Sequence, residues 1–136
     1  MHDSEQISRF LGGTAFAVVG ASKDRAKFGN QVLRAYLAAG LEVHVVHPRE
    51  VEIEGVPCVA RVDDLPDGIH GVSLITPPPV TAGLLPAIAA RGIRRVWLQP
   101  GAESGEALQL AQELGLDCIA GGPCLLIEID QGDPAG

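Results

Sequence analysis

Apolar residues in this chain come in short runs separated by helical stripes. Residues 14–20 carry no charge and hold Phe16-Ala17-Val18-Val19, which predicts a buried strand. Over residues 29–39, Val32, Leu33, Tyr36 and Leu37 fall on one face of a helix, and Gly40 supplies its stop. Residues 41–47 form a second strand closed by Pro48. Residues 50–59 predict a short extended excursion, with Val51 and Ile53 alternating with glutamates before Gly55 and Pro57. A helical turn is expected at 61–65. Strands follow at 71–75, 94–98 and 116–120, and helices at 80–91 and 104–114. Pro86 should kink the first of these helices or mark its true beginning. Residues 123–129 fit either a short closing helix or an edge strand. Residues 1–5 and the polar segment 130–136 read as frayed ends.

Strands alternating with helices at this spacing imply an α/β domain: a doubly wound parallel sheet of about five strands, with helices on both faces and the first strand central. At 136 residues, with 46% hydrophobic, the chain suits one domain over 1–136 with a core at about 12–129. The apolar runs fall well short of a membrane span of ~20 residues. The N-terminus lacks the pattern of a signal peptide, so a cytoplasmic location is expected.

The formal charge is −7, from 10 Lys and Arg against 17 Asp and Glu. That balance disfavours nucleic acid and anionic membranes as partners. One segment reverses sign: Lys23, Arg25 and Lys27 against Asp24 leave a local charge of +2. Arg91, Arg94 and Arg95 form a second basic cluster, expected to be a solvated helix end. Cys58, Cys118 and Cys124 form no C-x-x-C pair, and His2, His44, His47 and His70 lack metal spacing. No triad or paired carboxylate emerges, so catalytic residues and enzyme activity are not expected.

Candidate chemistry lies at the strand ends. In open α/β sheets, ligands bind outside the carboxyl ends of the strands, at the switch point of the winding. Here those ends are Gly20-Ala21-Ser22, His47-Pro48-Arg49, Thr76-Pro77-Pro78, Gln99-Pro100-Gly101 and Gly121-Gly122-Pro123-Cys124. The first loop is neither G-x-G-x-x-G nor a Walker motif. Ser22 can donate to a phosphate oxygen, Lys23, Arg25 and Lys27 can neutralise it, and Gly29 lets the next helix start close to a ligand. A solvated turn is the plainer reading of the same bases. The tip of the second strand lacks the carboxylate that holds the ribose of NAD. Arg49 there suits an additional ribose phosphate, as in NADP or coenzyme A.

Taken in order, Val18-Val19-Gly20-Ala21-Ser22, Lys27-Phe28-Gly29-Asn30, His47-Pro48, Thr76-Pro77-Pro78, residues 96–104 and Gly121-Gly122-Pro123-Cys124 carry a family resemblance. The chain resembles the small bacterial and archaeal coenzyme A-binding proteins, whose domain is similar to the coenzyme A-binding part of the succinyl-CoA synthetase α subunit. The resemblance implies a Rossmann-like fold that takes coenzyme A as its cofactor or ligand. It places the pyrophosphate near Gly20, Ala21, Ser22 and the helix starting at about Phe28 and Gly29, with Lys23, Arg25 or Lys27 near phosphates. It puts His47, Pro48 and Arg49 beside the adenosine, and Thr76, Pro77 and Pro78 along the adenine or pantetheine side. Relatives often carry Asn where His47 stands. Cys124 would either face the coenzyme A thiol, forming a mixed disulfide, or be a small buried residue. The expected function is non-catalytic binding of coenzyme A or acyl-CoA, as carrier, sensor or regulator. The alternatives are an NAD(P)-binding protein or minimal oxidoreductase, an interaction protein that has lost the ligand, and an acyl-CoA enzyme completed by a separate protein partner. A homodimer, through a sheet edge or an apolar helix face, is compatible with the pattern.

Overall fold

The computed structural model describes residues 4–122 and 124–131. Its elements are α1 (Ser4–Leu11), β1 (Ala15–Val19), α2 (Phe28–Ala38), β2 (Glu42–Val46), β3 (Glu52–Ile53), β4 (Val56–Val59), β5 (Gly71–Leu74), α3 (Pro78–Ala90), β6 (Arg95–Leu98), α4 (Gly105–Glu113), β7 (Asp117–Ile119) and α5 (Leu125–Gln131), with a 3-10 turn at Val62–Asp64. The sheet has the order β3-β4-β2-β1-β5-β6-β7. Every neighbouring pair is parallel except β3 and β4. The winding reverses between β1 and β5, so β1 is central as its uncharged sequence implies.

The sheet has seven strands, where the pattern suggested about five. The two additional strands come from the excursion at 50–59. Cys58 and Val59 pair with Val45 and Val46, and β3 folds back on β4 through Glu54-Gly55. Both turn residues have positive φ, 51° and 81°, the geometry of a two-residue hairpin turn. Segments this short become strands only because the free edge of β2 offers partners.

Alternation along the strands sorts side chains into two layers. Ala15, Ala17, Val19, Val72, Leu74, Val96 and Leu98 join an aliphatic layer with α3 and α4. Phe16, Val18 and Trp97 point the other way, into an aromatic layer with Phe10 and Tyr36. The Phe10 ring lies edge-on to Trp97 at 5.2 Å between centroids. A Cβ at Gly71 would run into the Phe10 ring, so that glycine makes room for α1. Tyr36 hydroxyl and Ser73 Oγ share a buried hydrogen bond of 2.7 Å.

Several local expectations are revised. Helix α1 begins at Ser4, inside the stretch expected to fray; Phe10 anchors it, and the Gln6 amide donates to Asp117 Oδ1 and the Cys118 carbonyl at 2.7 and 2.8 Å. Pro86 neither begins nor ends α3, which opens on Pro78 and Pro79, where missing N–H groups cost nothing. Residues 125–131 are helical, so the helix covers the first two positions of the expected tail; residues 132–136 and Pro123 lie outside the described residues, as does His2. Arg91 is not a merely solvated helix end: its guanidinium donates to Asp67 Oδ1 at 3.0 Å and to the Leu65 carbonyl, tying α3 to the segment before β5.

Candidate functional site

Two glycines bring the first loop against the sheet. Gly20 follows β1 with φ 105°, and a Cβ there would collide with the Ile75 carbonyl. A Cβ on Gly29 would collide with the Gly20 carbonyl in turn. Helix α2 therefore starts directly on the tip of β1, and only glycine permits the approach. Lys27 at the N-cap makes no side-chain cap, leaving the first amides of α2 available to an anion.

The loop between them is internally fastened. Ser22 Oγ accepts from the Asp24 amide at 3.1 Å, and Asp24 Oδ1 accepts from the Ala26 amide at 3.0 Å. Buried Asn30 donates to the Ser22 carbonyl at 2.8 Å, and Arg34 donates to Asn30 Oδ1 and the Arg25 carbonyl at 2.7 and 2.8 Å. The Ser22 hydroxyl keeps its proton for a further acceptor. Sequence reasoning did not reach Arg34; its position one helical turn after Asn30 was the available signal.

The loop cations have unequal surroundings. Lys23 Nζ lies 3.2 Å from Glu50 Oε1, and Arg25 Nε 3.3 Å from Glu54 Oε2. Neither Lys27 nor Arg49 has an ion-pair partner among the described residues. His47 Nδ1 accepts from the Arg49 and Glu50 amides at 3.1 and 3.0 Å. These two donors require an unprotonated Nδ1 and leave the proton on Nε2. His47 thus closes the turn after β2 as an Asn side-chain carbonyl would.

A cleft of about 660 Å³ opens at the carboxyl ends of β1, β2 and β5. Its walls include Gly20, Ala21, His47, Pro48 and Arg49 from two of the strand ends, and Thr76 and Pro77 from the third. The Thr76 and Thr81 hydroxyls lie 2.6 Å apart, and Thr81 also donates to the Thr76 carbonyl, so the Thr76 hydroxyl proton goes to Thr81 Oγ1. Ser22, Lys23, Arg25, Lys27, Gly29 and Pro78 lie outside the walls of this cleft. Phe28 lines a neighbouring cleft of about 270 Å³, which shares Thr76 and Pro77 and is closed by Pro100-Gly101-Ala102.

Other walls of the large cleft went unanticipated. Val80, Leu84 and Ala87 form one stripe of α3, and Ala60, Arg61, Val62 and Asp63 follow β4. The stripe was visible as an i, i+4, i+7 pattern; the segment after β4 was not, because its position depends on the added strand. Beyond the smaller cleft, buried Gln99 accepts the Leu125 amide through Oε1 at 2.9 Å, and the Cys124 carbonyl opens α5 by accepting from Ile127 and Glu128. Among the described residues, no group of three His, Cys, Asp or Glu side chains forms a metal set, and no helix is long and apolar enough to cross a membrane.

The family model described as CoA binding domain matches residues 14–130, spanning every strand tip of the cleft. The chain belongs to the CoA-binding domain family. This CoA-binding domain is 36% identical to a conserved hypothetical protein from Pyrococcus furiosus, whose structure aligns with a TM-score of 0.81 over 85% of this chain and 98% of that one. It is also 28% identical to a dinucleotide-forming acetyl-coenzyme A synthetase from Ca. Korarchaeum cryptofilum, solved with phosphate and ADP; the TM-score is 0.72, over 88% of this chain and 27% of that one. A trans-feruloyl-CoA synthase from an unknown prokaryotic organism is 29% identical over 92% of this chain. The domain spans only 18% of that curated relative's length.

Proposed function

We propose that the protein binds coenzyme A or an acyl-CoA at the carboxyl ends of β1, β2 and β5, as a carrier, sensor or regulator rather than as a catalyst, with residues 12–129 acting as one binding unit. The observation that carries this reading is the coincidence of the family match over 14–130 with a cleft at the point where the winding reverses. Gly20, Ala21, Ser22, Phe28 and Gly29 receive the diphosphate on backbone amides and the Ser22 hydroxyl, with Lys27 as the free counter-charge and Lys23 and Arg25 on either side. His47, Pro48, Thr76, Pro77 and Pro78 wall the nucleoside and the start of the pantetheine. Arg49, in the cleft wall and without an ion-pair partner among the described residues, takes the 3′-phosphate.

The electrostatics favour coenzyme A over NAD. Glu50, the carboxylate nearest the tip of β2, is engaged by Lys23, while the cleft presents the Arg49 cation where a ribose-binding acid would stand. Calorimetric titration with coenzyme A, 3′-dephospho-CoA, NAD and NADP tests the assignment. Coenzyme A should bind tightest, and Arg49→Ala should weaken it about tenfold, or ~1.4 kcal/mol, while leaving 3′-dephospho-CoA unchanged. Coenzyme A at ~100 times its dissociation constant should add about 2.7 kcal/mol of stability. Tighter NADP binding overturns the ligand; binding of none of the four, by folded protein, favours an interaction protein.

A second reading rests on one observation: domains like this one occur as 18% and 27% of a CoA synthase and an acetyl-CoA synthetase. In that reading the protein supplies the coenzyme A site of an acyl-CoA enzyme whose remaining parts are separate chains. Co-purification of a nucleotide-binding subunit, with acyl-CoA formation only in the mixture, would establish it.

A further inference from the structure

The Lys23–Glu50 and Arg25–Glu54 pairs join the basic loop after β1 to the acidic stretch leading through the β3–β4 hairpin, beside the apolar contact that Ile53 makes with the core. Glu54 is the only non-glycine with positive φ among the described residues, at 51°. An L-residue adopts that backbone at a cost, and hairpin turns of this type ordinarily use Asn, Asp or Gly. From this position its carboxylate Oε2 accepts Asn30 Nδ2 at 3.1 Å and pairs with Arg25. Asn30 is the same buried side chain that holds the Ser22 carbonyl. The Glu54 side chain is 22% exposed and that of Glu50 34%, against 66% for Arg25 and 62% for Lys23, so the carboxylate end of each pair is sheltered and the cation end is screened by solvent.

We propose that Glu50 and Glu54 are built-in competitors of the ligand's diphosphate, holding two loop cations until a diphosphate ester displaces them. The inference rests on the coenzyme A reading and adds a regulatory element to that site. A diphosphate arriving at the Gly20–Gly29 junction meets Lys23 and Arg25 already neutralised, and two like charges beside it. Binding transfers the two cations to phosphate oxygens, leaves Glu50 without its cation and Glu54 with Asn30 alone, and so loosens the hairpin where Glu54 meets the loop. Affinity is thus limited by the latch as well as by the phosphate contacts, and only a ligand with more than one negative charge competes with both carboxylates.

The test is titration of coenzyme A into the wild-type protein, Glu54→Gln, Glu50→Gln and the double variant, with hydrogen exchange followed over residues 50–56. Glutamine keeps an amide oxygen for Asn30 and Arg25 but removes the charge. Each single variant should bind about two- to fivefold more tightly and the double variant about tenfold, the scale of one or two partly exposed ion pairs. In the wild-type protein, coenzyme A should speed amide exchange at Glu52–Val56 while slowing it at the start of α2. A merely structural role predicts weaker binding in the variants and a hairpin protected by ligand; either result overturns the proposal and leaves the coenzyme A reading standing. If the double variant binds and the wild type does not, both readings hold; if neither binds, both fail. Should the double variant not fold, the single variants and the wild-type exchange pattern decide.

Discussion

The two layers flanking the sheet are built from different side chains and do different work. On the α2 face, Phe10 packs against Phe16 and Trp97, and Phe16 against Tyr36, with ring centroids 5.1–5.4 Å apart. On the α3 face the residues are Ala, Val, Leu and Ile, and the large cleft descends among Val19, Val46, Val62, Leu84 and Ala87. Rings bury the most area per residue and lock neighbouring elements in register. Small side chains let the strand tips and α3 stand apart. The rigid layer holds the first loop and α2; the looser layer provides the volume beside it. A site that must fix a diphosphate while admitting a bulky nucleotide needs both.

The comparison can be tested first at its rigid end. Trp97 is fully buried, and Trp97→Ala should cost about 3–5 kcal/mol in chemical denaturation, with the ring cluster around Phe10 losing its anchor. Gly29→Ala drives a methyl into the Gly20 carbonyl; about 1–3 kcal/mol of stability should be lost, and coenzyme A binding with it, because α2 must move off β1. Tyr36→Phe removes one partner of the buried Ser73 bond and should cost about 1–3 kcal/mol with ligand binding retained.

Alkaline pH probes both layers. Burial pushes the Tyr36 phenol above its ordinary value, the Ser73 hydrogen bond opposing this only in part. Burial, reinforced by the Asp117 carboxylate, pushes the Cys118 thiol up to about 11. Each group stays protonated in the folded chain while the unfolded chain releases its proton. Stability is therefore fully present below about pH 9, falls between about 9 and 11 through Cys118, and falls further above about 10 through Tyr36. The slope is at most about 1.4 kcal/mol per pH unit for each group. Denaturation midpoints measured from pH 8 to 11 should decline in the wild-type protein, with a shallower decline in Tyr36→Phe above pH 10.

The smallest stability effect should come from the loose layer. Ala87→Leu adds methyl groups where the cleft leaves space, so stability should change by less than about 1.5 kcal/mol. Coenzyme A binding should weaken nonetheless. A large loss of stability would mean that this layer is as tightly filled as the aromatic one.

Much of this was legible because strong signals are local. The uncharged β1, the striped α2, and the glycines and prolines at strand ends mark a doubly wound sheet and its ligand rim without reference to distant residues. Gly20 and Gly29 stood out as turn residues, although the collisions they avoid, with the Ile75 and Gly20 carbonyls, are set by the packed sheet. Helix α1 was missed because its stability comes from Phe10 docking on Trp97 and Gly71, far away in sequence. The pairing of β4 was missed because two ladder pairs with β2 carry no pattern of their own.

His47 and the loop cations mark the boundary most clearly. The amino-acid sequence alone determined the α/β alternation, the central first strand, the basic loop and the absence of a carboxylate at the tip of β2, all of which follow from nearest-neighbour chemistry and periodicity. Only the tertiary structure decided that His47 closes a turn through Nδ1, that Lys23 and Arg25 face glutamates before and within a hairpin while Lys27 and Arg49 have no ion-pair partner among the described residues, and that the cleft lies in the aliphatic layer. Charge pairing and cavity volume depend on which distant segments the packed sheet brings together, and short-range patterns contain no term for that distance.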